Sequence, residues 1–302
     1  MNIQRLGPDH ARAIVDCFRR VYGEAYGNGL FYDAPSLAEA LASGALRSVG
    51  ALDGGRLLAH MAMIARPGAT CAELGNTVVD PEARGGGLAW KVGDALTDWC
   101  IEAGYEAYLH YPTAAHHIMQ RQSVKSGFET GLMLGYIPTT TALRDAATIV
   151  CNPLGDMQER SAYLPSAFES LFALLDPESR APRRWKTSPQ PASGASQSRT
   201  THDKRRGLTR TTVDRAGADL DAILAGIEDA PCQQLDLSMH DDAHDHAVAT
   251  AQAQGFQFCG WLPGFQRGDV LRLQRVDPAL TNLTPNLVNP TAAALLEAIA
   301  PR

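Results

Sequence analysis

The stretch that most constrains this chain is Val78-Val79-Asp80-Pro81-Glu82-Ala83-Arg84-Gly85-Gly86-Gly87-Leu88-Ala89-Trp90-Lys91-Val92, a β-rich run, a proline turn, three glycines and a helical pattern. Consecutive glycines bring the backbone close to a ligand with no Cβ in the way, and their φ freedom lets successive N–H groups converge on one anion. Leu88, Val92, Leu96 and Trp99 recur at helical spacing and predict an amphipathic helix. Its unpaired N-terminal amides and positive dipole end point back at the glycines, so a phosphate is the natural occupant. No Gly-Lys-Ser/Thr closes the loop. The spacing is not Gly-x-Gly-x-x-Gly, and no acidic residue lies suitably downstream on a second parallel strand, which argues against both common nucleotide loops.

A chain of 302 residues, 45% hydrophobic, is long enough for two domains that each bury a core. It has no run of eighteen apolar residues, and Met1-Asn2-Ile3-Gln4-Arg5 lacks a signal peptide's apolar region, so a cytoplasmic protein without membrane attachment is expected. The six cysteines stand singly, with no Cys-x-x-Cys pair, as suits reduced thiols better than disulfides or zinc. A net charge of -6 disfavours nonspecific nucleic-acid binding by the whole molecule.

Along the chain, 3–6 reads as a strand, and Ala11, Ile14, Val15, Phe18 and Val21 mark a helix. A second helix, 36–43, is expected with Ser36 as N-cap and Gly44 as stop. Segments 47–52 and 56–63 make a hairpin about Asp53-Gly54-Gly55. Strand 71–79, helix 88–103, strand 105–111 and helix 113–125 follow, and a β-rich run, Leu132 to Ile137, comes after Ser126-Gly127-Phe128-Glu129.

Arg84-Gly85-Gly86-Gly87-Leu88-Ala89 behind Val79-Asp80-Pro81 resembles the signature of the GNAT superfamily of acyl-CoA-dependent N-acetyltransferases, Arg/Gln-x-x-Gly-x-Gly/Ala after a strand ending near Val-x-Pro. The order of elements resembles that family over about residues 1–146. The fold class implied is mixed α/β (α+β), with a central mixed, splayed sheet. By the same resemblance, Arg84, Gly85, Gly86, Gly87, Leu88 and Ala89 hold the pyrophosphate of acetyl-CoA or another acyl-CoA as co-substrate. The acceptor side of such a fold is the variable loop after the first helix, where Tyr22, Tyr26, Phe31 and Tyr32 are candidates for a substrate wall. The alternative for these aromatics is ordinary packing.

Acyl transfer to an amine needs a base for the ammonium, a donor for the oxyanion and a proton for the departing thiolate. Glu73, in Ala72-Glu73-Leu74, resembles the base glutamate of some GNAT members, and burial between apolar neighbours would raise such a carboxyl's pKa toward the working range. The resemblance gives the oxyanion a backbone N–H of this strand, at Val78 or Val79. Most members place a tyrosine acid five residues before the Gly-Phe phenylalanine. Here that position is Ser123, a departure, and the family's frequent asparagine falls at His116, another. A serine is a poor acid, so water, His116, His117 or Tyr111 are the alternatives, with His117 also a candidate on the substrate side.

Residues 178–215 carry ten Lys and Arg among Pro, Ser, Thr and Gln and are expected to form a basic, flexible linker. Attraction to an anion such as tRNA is the sharper reading, because some GNAT relatives take an aminoacyl group from tRNA. Helix 218–227, strand 233–237, helix 243–254, Gly255-Phe256 and strands 258–262 and 270–274 echo 113–137 and are read as a second, degenerate GNAT-like half without a glycine loop. This tandem layout, with Leu262-Pro263-Gly264 before the last strand, resembles a bacterial GNAT subgroup. The domains expected are thus 1–146, a connection at 147–177, the linker 178–215 and the second half, 216–302. His240, His244 and His246 among Asp241, Asp242 and Asp245 read as a solvated helix start rather than a metal site, so no metal is expected. The function expected is acyl transfer from acyl-CoA to a primary amine of a small molecule by a monomer or homodimer. An aminoacyl-tRNA donor and a non-catalytic acyl-CoA-binding module are the alternatives.

Overall fold

The computed structural model describes residues 1–139, 141–175, 180–187 and 190–300. It forms two compact units, Met1–His110 and Tyr111–Arg302.

The first unit runs β1 (Asn2–Leu6), α1 (Ala11–Tyr22), α2 (Ala34–Ala42), β2 (Leu46–Asp53), β3 (Arg56–Ile64), β4 (Cys71–Val79), α3 (Leu88–Glu102) and β5 (Ala107–His110). The sheet order is β1-β2-β3-β4-β5, antiparallel up to β4, with β5 parallel to β4. Gly54 and Gly55 turn the β2–β3 hairpin with φ of 54° and 84°, the left-handed pair that a tight hairpin requires. The α1 stripe buries Ile14, Val15 and Phe18 with Phe31, Leu37 and Leu57 on one face of the sheet. Burial of each such large side chain is worth about 1.5–3 kcal/mol. Met61 and Met63 point to the other face, toward Gly93 and Cys100 of α3. Asp33, not Ser36, is the N-cap of α2: Pro35 fits the first turn, and the Ser36 hydroxyl donates to the Asp33 carboxylate.

The second unit contains α4 (His117–Ser126), β6 (Phe128–Ile137), β7 (Asp145–Pro153), β8 (Arg160–Tyr163), α5 (Glu169–Leu175), β9 (Arg183–Lys186), β10 (Gln197–Asp203) and β11 (Leu208–Arg215). It continues through α6 (Leu220–Ala225), β12 (Cys232–Ser238), α7 (His244–Ala253), β13 (Gln257–Leu262), β14 (Val270–Val276) and α8 (Pro290–Ile299). Residues 111–146, expected with the first domain, therefore lie in this unit. Its main sheet is ordered β7-β6-β13-β14-β12-β11-β10, and β8 pairs with β9 in a separate small sheet. Helix, Gly-Phe, strand, strand occurs twice: α4, Gly127-Phe128, β6, β7, and α7, Gly255-Phe256, β13, β14. The two copies meet where Gly131 of β6 pairs with Gly260 of β13, and a Cβ on Gly131 would collide with the Cys259 carbonyl.

The expected linker is largely sheet. Residues 178, 179, 188 and 189 of it lie outside the described residues, but β9, β10 and β11 occupy much of the rest. The reason is β-branched content: Thr209, Thr211, Thr212 and Val213 of β11 are buried, and Thr200 bonds Thr211 across the pair at 2.9 Å. Several of its guanidiniums find partners within the chain, some buried and some at the surface. Arg183 forms a fully buried pair with Asp269, whose carboxylate also accepts from the Trp261 indole. Arg184 pairs with Glu159, Arg199 with Asp214, Arg206 with Asp203, and Arg210 donates to Gln234. His244 differs from expectation too. It is wholly buried at the start of α7, with Nδ1 donating to the Ser238 carbonyl and burial pushing its pKa down to about 4, so it is not part of a solvated run. Among the described residues no helix is long and apolar enough to cross a membrane.

Candidate active site

β4 positions the candidate groups of the first unit. Pairing with β5 covers only Cys71 to Glu73, because β5 ends at His110, one residue past its last paired position, while β4 continues to Val79. On the β3 side the register steps from Ala62↔Gly75 to His60↔Val78, leaving Asn76 and Thr77 opposite Met61 alone. This is a β-bulge, and Asn76 takes φ of 53° there, the only non-glycine with positive φ among the described residues. Such a conformation is uncommon outside glycine and clusters at functional sites.

The bulge is tied to the loop after α1. The Asn76 side-chain oxygen accepts from the Tyr26 hydroxyl at 3.0 Å and from the Asn28 amide at 3.3 Å. Tyr32 in turn accepts the Tyr26 backbone N–H at 2.9 Å. Tyr26 stacks on the half-exposed Tyr22 with centroids 4.9 Å apart. Phe31 departs from its expected place in a substrate wall: it has no exposed surface and stacks on Phe18 at 4.3 Å in the core. Tyr26 and Tyr32 remain half-buried.

Glu73 sits one bulge away from these groups on the same strand. Its carboxylate is held by Arg66 at 2.6 Å, with the side chain 13% exposed. A guanidinium thus stands against the carboxylate, where apolar surroundings were expected.

At its other end β4 runs into the glycine loop. Asp80, almost fully buried, accepts from Arg20 at 2.8 Å and Arg56 at 3.0 Å and caps the Glu82 amide at 3.2 Å. Desolvation pushes its pKa up, but these hydrogen bonds outweigh that and hold it below the ordinary carboxylate value. Gly85 and Gly87 have φ of 84° and 70°, which side-chain-bearing residues rarely adopt, and Gly87 is the N-cap of α3 with no side-chain cap bond. The amides of the first α3 turn thus face an exposed, side-chain-free loop. Asp80→Asn keeps the shape and removes the charge. It is expected to cost about 2 kcal/mol in urea unfolding at neutral pH, below the ~3–5 kcal/mol of a wholly buried pair because both guanidiniums are partly exposed. Since Asp80's folded pKa is depressed, this contribution is present above the unfolded value of about 3.9 and is lost as pH falls through the folded value. The gap between wild type and variant should therefore close only in acid.

The remaining candidates lie in the second unit. Ser123 is buried, and its hydroxyl donates to the Met119 carbonyl at 2.6 Å, a bond along the helix that engages its one proton. His116 is the N-cap of α4, His117 its first residue, and both are exposed. Sequence reasoning missed the bulge, Arg66 and the buried His60, which bonds to it. The only signal was a lone histidine in the otherwise apolar run Leu57 to Met63.

The family model for the acetyltransferase (GNAT) family matches residues 11–123, and this part of the chain is a GNAT acetyltransferase domain. No curated protein matches by sequence. Among solved structures, the ribosomal-protein-S18-alanine N-acetyltransferase from Escherichia coli is 19% identical, with a TM-score of 0.43 over 51% of this chain and 94% of that one. A ribosomal-protein-alanine N-acetyltransferase from Brucella melitensis is 15% identical, with a TM-score of 0.44 over 51% and 100%. The phosphinothricin acetyltransferase from Sinorhizobium meliloti, in complex with acetyl-CoA, is 18% identical, with a TM-score of 0.43 over 51% and 89%.

Proposed function

We propose that the chain transfers an acetyl, or another short acyl, group from acyl-CoA to a primary amine of a small molecule, directly within a ternary complex. The observation that carries this reading is the continuity of β4, which joins a held carboxylate at Glu73, a bulge at Asn76–Thr77 and the glycine loop in one strand. At about 3.3 Å per residue, Glu73 and Val79 stand about 20 Å apart. An extended acyl-CoA arm can lie along that length, with its pyrophosphate on the Gly85 to Ala89 amides and its thioester near the bulge.

In this reading Glu73, which stands about 16 Å along β4 from Val78, takes a proton from the ammonium through bridging water, and the amine nitrogen attacks the thioester carbon. The amide of Val78 or Val79 donates to the developing oxyanion. The C–S bond then breaks, and the thiolate takes a proton from solvent. Ser123, whose hydroxyl is committed to Met119, is given no step. Tyr26 and Tyr32 flank the acceptor, and no residue is assigned to a metal. The engagement of Arg183 with Asp269 and of Arg210 with Gln234 inside the fold favours the acyl-CoA donor over charged tRNA.

The chain is read as a tandem protein with one donor site. In the second unit β11 and β12 pair in parallel from Leu208 to Val213, and the short α6 between them follows no glycine run. Calorimetric titration with acetyl-CoA is expected to give one site per chain, with charged tRNA failing to compete. Two sites, or displacement by tRNA, would overturn the assignment.

A further inference from the structure

The strand bulge has a dedicated support that the reaction scheme leaves unused. His60 of β3 has no exposed surface, and its imidazole spans two partners, the Asn76 backbone carbonyl at 2.9 Å from Nδ1 and the Ser48 hydroxyl at 3.0 Å from Nε2. A carbonyl can only accept, so Nδ1 carries the hydrogen, and Nε2 is then left to accept from Ser48. The ring is clamped edge-on by Phe18 and Phe31, at centroid distances of 5.6 and 5.5 Å. Burial pushes its pKa down to about 4, with the Asn76 bond acting weakly the other way, so the ring is neutral at working pH.

Every feature of this arrangement acts on one peptide. Asn76 is the bulged residue in left-handed conformation, and a bulge disrupts the ladder on its own strand. His60 gives the Asn76 carbonyl a side-chain hydrogen bond at the point where the ladder is disrupted. The Asn76 side chain, on the same residue, carries the bonds to Tyr26 and Asn28. The orientation of this peptide sets the direction of the amides that follow it, Thr77 to Val79, and the placing of the acceptor loop together.

We propose that His60 is a positioning residue for acyl transfer, whose Nδ1–H fixes the Asn76 peptide and thereby aims the following β4 amides at the thioester oxygen. The proposal rests on the acyl-transfer reading above and assigns His60 no contact with either substrate. Two substitutions separate its two bonds. In His60→Asn the side-chain amide nitrogen stands near the original Nδ1 and keeps the bond to Asn76. In His60→Gln it stands near Nε2 and keeps only the Ser48 side.

The test measures kcat and KM by free-thiol release from acetyl-CoA with the best acceptor among amino acids, diamines and a peptide with a free N-terminus. His60→Gln is expected to lower kcat about tenfold or more, part of the loss seen when an oxyanion donor is removed, with KM for acetyl-CoA unchanged because the glycine loop is untouched. His60→Asn is expected to recover most of that kcat. Thermal unfolding of both variants shows whether each is folded, and Ser48→Ala, which spares the Asn76 bond, should keep near wild-type kcat. A folded His60→Gln enzyme with wild-type kcat, or a His60→Asn enzyme as impaired as His60→Gln, overturns the positioning role while leaving the acyl-transfer reading intact. A wild-type protein that transfers nothing overturns that reading, and this role with it.

Discussion

Glu73→Gln is expected to lower kcat for amine acylation by about 10²- to 10⁴-fold, the range for loss of a general base, and to leave acetyl-CoA affinity unchanged. Glutamine has the same shape and still accepts a hydrogen bond from Arg66, which stands 2.6 Å from the carboxylate. It cannot take a proton from an ammonium. The glycine loop lies at the far end of β4, beyond the bulge, so donor binding should not respond. Steady-state kinetics at saturating acetyl-CoA, together with a binding titration on the same variant, separate the two effects. An equal loss in binding and turnover would mean that Glu73 holds the strand together instead of acting on the amine.

Gly86→Val is expected to weaken acetyl-CoA binding about 10²-fold or more while the fold survives. The three glycines are not equivalent. Gly85 and Gly87 sit at positive φ, where a β-branched residue is strained whatever the space. Gly86 does not, and a Cβ built on it meets only the Ala83 carbonyl oxygen, at an ordinary 3.8 Å. The folded protein therefore tolerates a side chain there, and what the side chain meets is the ligand. Charge-assisted hydrogen bonds to a phosphate are worth about 1.5–3 kcal/mol each, so pushing the pyrophosphate off one or two amides accounts for the expected loss. The measurement is calorimetric titration with coenzyme A, with urea unfolding as control. Unchanged affinity in Gly86→Val would place the pyrophosphate elsewhere.

These two outcomes depend on features of different legibility. The glycine loop could be read directly because each part of it is local: a β-rich run, a proline, three glycines and a 3.6-residue stripe. The hairpin at Gly54-Gly55 and the Gly127-Phe128 and Gly255-Phe256 repeats were local in the same sense. The bulge was not. It exists because residues 75–78 of β4 take one more residue than 60–62 of β3, a register between distant segments that neither sequence states by itself. Arg66 beside Glu73 and His60 beneath Asn76 follow from that register, so they were hidden with it.

The 178–215 segment failed for a different reason. Its apolar content is low, and a period-2 pattern built from threonine looks like solvated chain when hydrophobicity is the signal sought. The threonines of β11 carry strand propensity and side-chain hydrogen bonds across the sheet, and Arg183 and Arg210 find partners inside it. Part of a basic composition thus became polar contacts within the fold. His244 shows the same limit on a smaller scale, a histidine in a polar run that the fold buries at the start of α7.

The central claim is that the first unit passes an acyl group from coenzyme A straight to an amine. The most direct measurement uses acetyl-CoA labelled in the acetyl group, incubated with the protein and a panel of primary amines, with free thiol and labelled product quantified together by mass spectrometry. The account predicts that thiol release requires an amine, that label appears in the amine in equal amount, and that none stays on the protein. Acetyl-CoA bound at the loop with no thiol released by any amine, or label retained covalently on the chain, would contradict it.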